Sequence, residues 1–144
     1  MKIFFYLLIL LLLFPDTVYS QFACSGLDRV DIYLNSKLVA TSTFADAPTI
    51  KLNSLLKSDT IVLHAFTNWE GLNNCTLDVK DESGELMEHV NSANNTGYEA
   101  LFTYIFRRED IDDPDFKSFD MFLNLLCEKT VETEQITTFS YSGK

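Results

Sequence analysis

Several residue types are scarce in this chain, and each scarcity removes a class of function. There are two histidines, His64 and His89, far apart and without a carboxylate or thiol at metal-ligand spacing to either, which argues against a zinc centre. Five glycines supply no phosphate-cradling loop and no Gly-x-Ser-x-Gly nucleophile elbow, and the cysteines carry no local cysteine-protease signature. With only three prolines as well, no flexible linker, low-complexity tract or internal repeat divides the chain. Bases are outnumbered: 11 Lys and Arg face 21 Asp and Glu, a net charge of −10, and no basic cluster beyond Arg107-Arg108 offsets it. Such a field repels nucleic acid and anionic membrane surfaces. Long apolar runs are also missing, save for the 12 residues from Ile3 to Phe14. A spanning helix needs roughly 20, so that run is too short to cross a bilayer.

What is present begins with that run. Lys2 precedes it, Pro15 and Asp16 end it, and Val18-Tyr19-Ser20 follows, the order of an export signal with cleavage after Ser20. Removing 20 of the 144 residues leaves 124, one domain (21–144) large enough to bury about two-thirds of its unfolded surface. Losing Lys2 and Asp16 keeps the balance at −10, with 10 bases against 20 acids. A secreted, periplasmic or cell-surface location is expected, with no transmembrane segment in the mature chain. Cys24, Cys75 and Cys127 remain after cleavage, so one disulfide could form in an oxidising compartment by any of three pairings. Gln21 directly after the cut resembles export signals common in one group of Gram-negative bacteria, a resemblance confined to the signal. Lipid attachment at Cys24 is disfavoured, because Gln21-Phe22-Ala23 lacks the aliphatic and small residues of a lipoprotein box. In a eukaryotic source, Asn74-Cys75-Thr76 and Asn94-Asn95-Thr96 would be glycosylation acceptors on surface loops.

Short β-forming segments separated by turn residues recur along the mature chain, which predicts a mainly β, antiparallel sandwich of about 7–9 strands, immunoglobulin-like or a similar Greek key. Val30, Ile32 and Leu34 alternate with polar neighbours, Asn35-Ser36 follows, and Lys37 to Phe44 resumes, a hairpin pattern. Thr60 to Thr67 is apolar on both parities and reads as a central strand covered on both faces. Asp81-Glu82-Ser83-Gly84 joins a second hairpin, and Asn91 to Gly97 reads as a loop. Tyr98, Ala100, Phe102, Tyr104 and Phe106 form one apolar row at period two. The segment 114–128 fits two templates, a helix opened by Asp113-Pro114 or a strand through Phe119, Met121, Leu123, Leu125 and Cys127. The β-rich context favours the strand.

Candidate site residues are few. Trp69, the single tryptophan, lies between Asn68 and Glu70, where an aromatic face beside amide and carboxylate groups suits stacking on a sugar ring. The competing role is a plug for the open end of the core. Asp110, Asp112, Asp113 and Asp115 supply hard oxygen ligands for calcium in an irregular site. An EF-hand starting at Asp110 fails, since Asp115 and Met121 stand where glycine and a bidentate Glu are required. The alternative is a solvated connection, with no cofactor at all. These features point to a non-catalytic exported module that binds protein or carbohydrate. The rival is a small secreted hydrolase acting on polysaccharide or peptide through a carboxylate pair such as Glu70 and Asp112. Mass spectrometry of the exported protein is expected to find Gln21 at the amino terminus; an unprocessed chain retained in the cell would remove the export reading.

Overall fold

The computed structural model describes residues 27–43, 46–52, 56–68, 71–127 and 130–141, with the backbone alone for Cys127 and Thr130. Ten strands build it: β1 (Leu27–Leu34), β2 (Lys37–Ser42), β3 (Thr49–Lys51), β4 (Ser58–Thr67), β5 (Thr76–Asp81), β6 (Leu86–Asn91), β7 (Asn94–Asn95), β8 (Glu99–Arg107), β9 (Ser118–Cys127) and β10 (Thr130–Ser140). They form two five-stranded sheets, ordered β2-β1-β4-β8-β7 and β3-β10-β9-β5-β6. Every pairing is antiparallel except that of β3 with β10. The count exceeds the expected 7–9 because β7, an edge strand of two residues, lies in the stretch 91–97 that reads as a loop and is too short for a period to show in the sequence.

Alternation sorts the side chains. On β4, Ile61, Leu63 and Ala65 are buried while Val62, His64 and Phe66 are only half-buried, so the strand is covered on one face rather than two. On β8, Ala100, Phe102, Tyr104 and Phe106 are buried, whereas Tyr98, ahead of the strand, is 47% exposed. The described residues of the segment 114–128 hold no helix. Its residues from Ser118 onward lie between β5 and β10, where two ladders of backbone hydrogen bonds outweigh a single helical stripe.

The two sheets share one core. Its centre is aromatic: Phe119 of β9 stacks on Phe106 of β8 in the opposite sheet at 5.0 Å between centroids, and on its neighbour Phe139 of β10 at 5.2 Å. Tyr104 meets Phe119 edge-on at 5.8 Å. Turn chemistry closes the hairpins as expected. Asn35 and Ser36 both adopt positive φ, the mirror-image turn that matches strand twist, and Gly84 (φ 84°) ends the β5–β6 turn around Asp81, whose carboxylate accepts from the Ser83 and Glu85 amides.

Cys75 is free and buried, and burial pushes its thiol up to about 11, so it stays protonated and donates to the Leu72 carbonyl. Two of the three pairings considered from the sequence therefore do not occur. The third, Cys24 with Cys127, lies outside the described side chains.

One charged contact is buried among all this. Asp59 is fully enclosed, receives Arg108 Nη2 at 2.8 Å and Asn35 Nδ2 at 2.7 Å, and Asn35 Oδ1 accepts in turn from the Thr60 amide. Arg108 also lies over the rings of Phe106 and Tyr141. Removing the carboxylate leaves a guanidinium held in an apolar frame. Asp59→Ala is expected to lower unfolding free energy by about 3–5 kcal/mol in urea titration, and a loss within ~0.5 kcal/mol would show the pair to be incidental.

Candidate functional site

The end of the first sheet where β1 starts and β4 finishes carries an amphipathic groove of about 310 Å³, lined by Asp28, Arg29, Phe66, Asn68, Tyr98 and Glu99 together with Thr67. Register builds it. Arg29, Phe66 and Glu99 stand in one row across β1, β4 and β8 on the outward face, and Asp31, His64 and Leu101 form the next row. Arg29 lies over the Phe66 ring at 4.6 Å and pairs with Asp31 at 3.4 Å. His64 stacks obliquely on Phe66 with centroids 4.0 Å apart and reaches Glu99 at 3.2 Å. Between Leu27 and Arg29 the register shifts, so Asp28 is an extra residue, a bulge that turns its side chain toward the groove.

The groove wall is tied to the loop after β4. The Leu72 amide donates to the Gly97 carbonyl, Asn95 Nδ2 donates to the Leu72 carbonyl, and the Gly97 amide donates to Asn95 Oδ1. Gly97 has φ 86°, and a Cβ there would come within 2.9 Å of Asn73 Oδ1, so only glycine lets the two loops close. That closure places Tyr98 and Glu99 at the rim.

No family model and no curated protein matches the chain. Chemically, the groove offers a cation stacked on an aromatic ring, two carboxylates, a phenol and an amide, a set that suits hydrogen bonding and stacking to a polar ligand.

Of the residues singled out from the sequence, Asn68 is exposed and belongs to this groove. Trp69 and Glu70 lie outside the described residues. Asp110 closes a single 3-10 turn (Arg108–Asp110), Asp112 and Asp113 are exposed, and Asp115 follows in a turn where its amide donates to Asp113 Oδ1. Among the described residues no group of three or more His, Cys, Asp or Glu is gathered to hold a metal ion. The acidic stretch and Asn68 sit at opposite ends of β8, roughly 26 Å apart at 3.3 Å per residue, so they share no concave surface. Asn74 and Asn94 are both exposed. No helix among the described residues is long and apolar enough to cross a membrane, a statement that does not bear on β-barrels.

Sequence reasoning missed Arg29, His64, Phe66 and Glu99 as a group. Their only sequence signal was parity: His64 and Phe66 share a face of β4, and Arg29 shares one with Asp31.

The second sheet's outward face carries an internally bonded polar network beside the exposed apolar pair Leu126 and Val131. Asp120 accepts from Gln135 and Thr138, Thr133 donates to Asn124, and Lys80 lies over Phe122. Asp78 sits here beside His89 at 2.6 Å. Burial pushes its carboxyl up, but hydrogen bonds from Asn124 and His89 and the charges of His89 and Lys80 outweigh it and hold the group below the usual carboxylate range. The folded chain thus binds this proton less readily than the unfolded one. Its contribution to stability is present above roughly pH 3.9 and is lost as pH falls through the lower folded value. Thermal melts from pH 6 to 2 are expected to show a shallower acid-side loss for Asp78→Asn than for the parent chain; identical slopes would contradict this.

Proposed function

We propose that the chain is an exported, non-catalytic module of immunoglobulin-like sandwich design that binds a protein or carbohydrate at the periplasm, cell surface or exterior. The observation that carries the module reading is the strand order. Lettering β1, β4, β8 and β7 as A, B, E and D, and β6, β5, β9 and β10 as C′, C, F and G, reproduces the A-B-E-D and C′-C-F-G sheets of that design. β2 and β3 are then insertions between the first two strands. The usual hallmarks are replaced rather than present: Leu77 and Val79 occupy the inward positions of the C-like strand where tryptophan is common, and the B-like strand carries no cysteine.

Folds of this type leave recognition to rims and outward faces, and the groove around Phe66 is such a rim. Its Arg29–Phe66 stack supports ligand contact there, as does the placement of Tyr98 and Asn68. The hydrolase alternative has less behind it, because Asp112 lies at the far end of the sheet from the Asn68 loop.

The test is a glycan and peptide array probed with the secreted protein, its Phe66→Ala and Arg29→Ala variants, and Thr133→Ala as a control on the other sheet. Retained binding in the control with loss of about tenfold or more in the groove variants is expected. Binding unaffected by Phe66→Ala and Arg29→Ala would move the site elsewhere, and turnover of a polysaccharide or peptide substrate would replace the module with the hydrolase.

A further inference from the structure

β8 is only partly covered on the side away from β4. β7 meets it at Ala100 and Leu101 alone. Thr60 gives its carbonyl to Asn35 on the β1 side, so the odd-numbered residues of β4 face β8 and bond to its even-numbered residues. The odd-numbered residues of β8 point the other way, as Leu101 does in accepting from the Ala93 amide. The N–H and C=O groups of Thr103, Ile105 and Arg107 therefore face an edge that no strand among the described residues meets. All three residues are exposed, Ile105 at 44%.

Sheet edges of this kind are templates for another strand unless something blunts them. The contrast with β10 is informative. β3 covers β10 only from Thr138 to Ser140, but in the uncovered part Glu134 pairs with the inward-facing Leu123 and is half-buried, a carboxylate on the inward row of the strand. Inward charge is a known guard against strand addition. β8 has no such guard, since its inward residues there are Tyr104 and Phe106.

A groove of about 300 Å³ runs beside this edge, with Met87 and Ile111 as apolar lining and Glu88 and Asp110 as acids. Burial, then Glu88 and Asp110, push the Tyr104 hydroxyl up to about 12, so both carboxylates are felt inside the groove.

We propose that the β8 edge from Thr103 to Arg107 takes up, by strand addition, an extended segment of another protein that carries Lys or Arg at alternate positions. The added backbone continues the ladder. Every second side chain then lies over Tyr104 and Phe106, its aliphatic stem against Met87 and Ile111 and its cationic head at Glu88 and Asp110. A second copy of this chain fits less well. An antiparallel β8 pair centred on Ile105 would set Arg107 opposite Thr103, without a carboxylate partner, while bringing together two chains of charge −10.

This site is separate from the groove around Phe66, and the two stand or fall independently. The experiment titrates the 15N-labelled protein with a short, end-capped peptide of alternating lysine and valine, and with its glutamate–valine counterpart. With the lysine peptide, the Thr103, Ile105 and Arg107 amides are expected to shift and to gain protection from hydrogen exchange. Glu88→Gln combined with Asp110→Asn, both at exposed positions and checked by thermal melting, should weaken binding about tenfold and flatten its salt dependence. Absence of shifts at millimolar peptide, shifts confined to other strands, or equal binding of the glutamate peptide would each overturn the proposal. So would protection of the same amides at high protein concentration without peptide, which would make a second copy the occupant.

Discussion

Phe119 is the contact on which the two-sheet arrangement turns. Its ring lies between Phe106 of the opposite sheet and Phe139 of the next strand, with Tyr104 edge-on and Phe116 stacked at 6.3 Å. Each aromatic pair adds about 0.5–1.5 kcal/mol beyond the area it buries. More importantly, the cluster fixes which row of β8 faces which row of β9. A one-residue slip in either strand would send these rings to water and bring Thr103, Ile105 or Asn124 inward, so the register is strongly specified. Sandwiches of similar size often fix two sheets to each other with a disulfide. Here Cys75, the one cysteine whose side chain is described, is a protonated core residue, and stacked rings hold the sheets together.

The same cluster explains why most strands could be read from sequence and a few features could not. Period-two alternation in β1, β5 and β8 records a single buried face, and the observed strands fall within a residue or two of the expected ones. β4 misled because Val62 and Phe66 are as apolar as the core row. They face outward, where Phe66 supports Arg29 rather than filling the interior. The segment 114–128 was ambiguous because its apolar residues satisfy both periods. What decides it is the presence of β5 and β10 on either side, a long-range fact that no local pattern contains. The first part of β10 is held by pairing with β9, since Val131, Glu132 and Thr133 are all exposed.

The groove was even less legible. Asn68 was reached through its neighbour Trp69, but the groups that give the groove its chemistry come from three strands. Arg29 with Phe66, and His64 with Glu99, are joined only by register. The Asp59–Arg108 pair is hidden in the same way: Asp59 sits at the start of a strand that reads as apolar, and Arg108 in a doublet that reads as a small basic patch. Conversely, the acidic stretch is conspicuous in sequence because its residues are adjacent, and adjacency disperses them. Successive carboxylates on an exposed connection point in different directions, and Asp113 spends an oxygen on the Asp115 amide.

Charge distribution ties these observations together. Arg29 is held between Phe66 and Asp31, Arg108 between Asp59 and two rings, and Lys80 over Phe122, so several of the few bases are engaged in holding the fold. The acids, by contrast, are mostly at the surface: Glu82, Glu85, Glu88, Glu109 and Asp112 are all exposed. A chain of net charge −10 that commits cations to its framework presents a more negative exterior than composition alone implies. On the binding-module reading this favours encounter with cationic partners, through long-range attraction that weakens beyond about 8–10 Å at physiological salt. Stacked rings and a buried ion pair thus fix the framework, and the charge of the rims and edges is left without neutralisation by it.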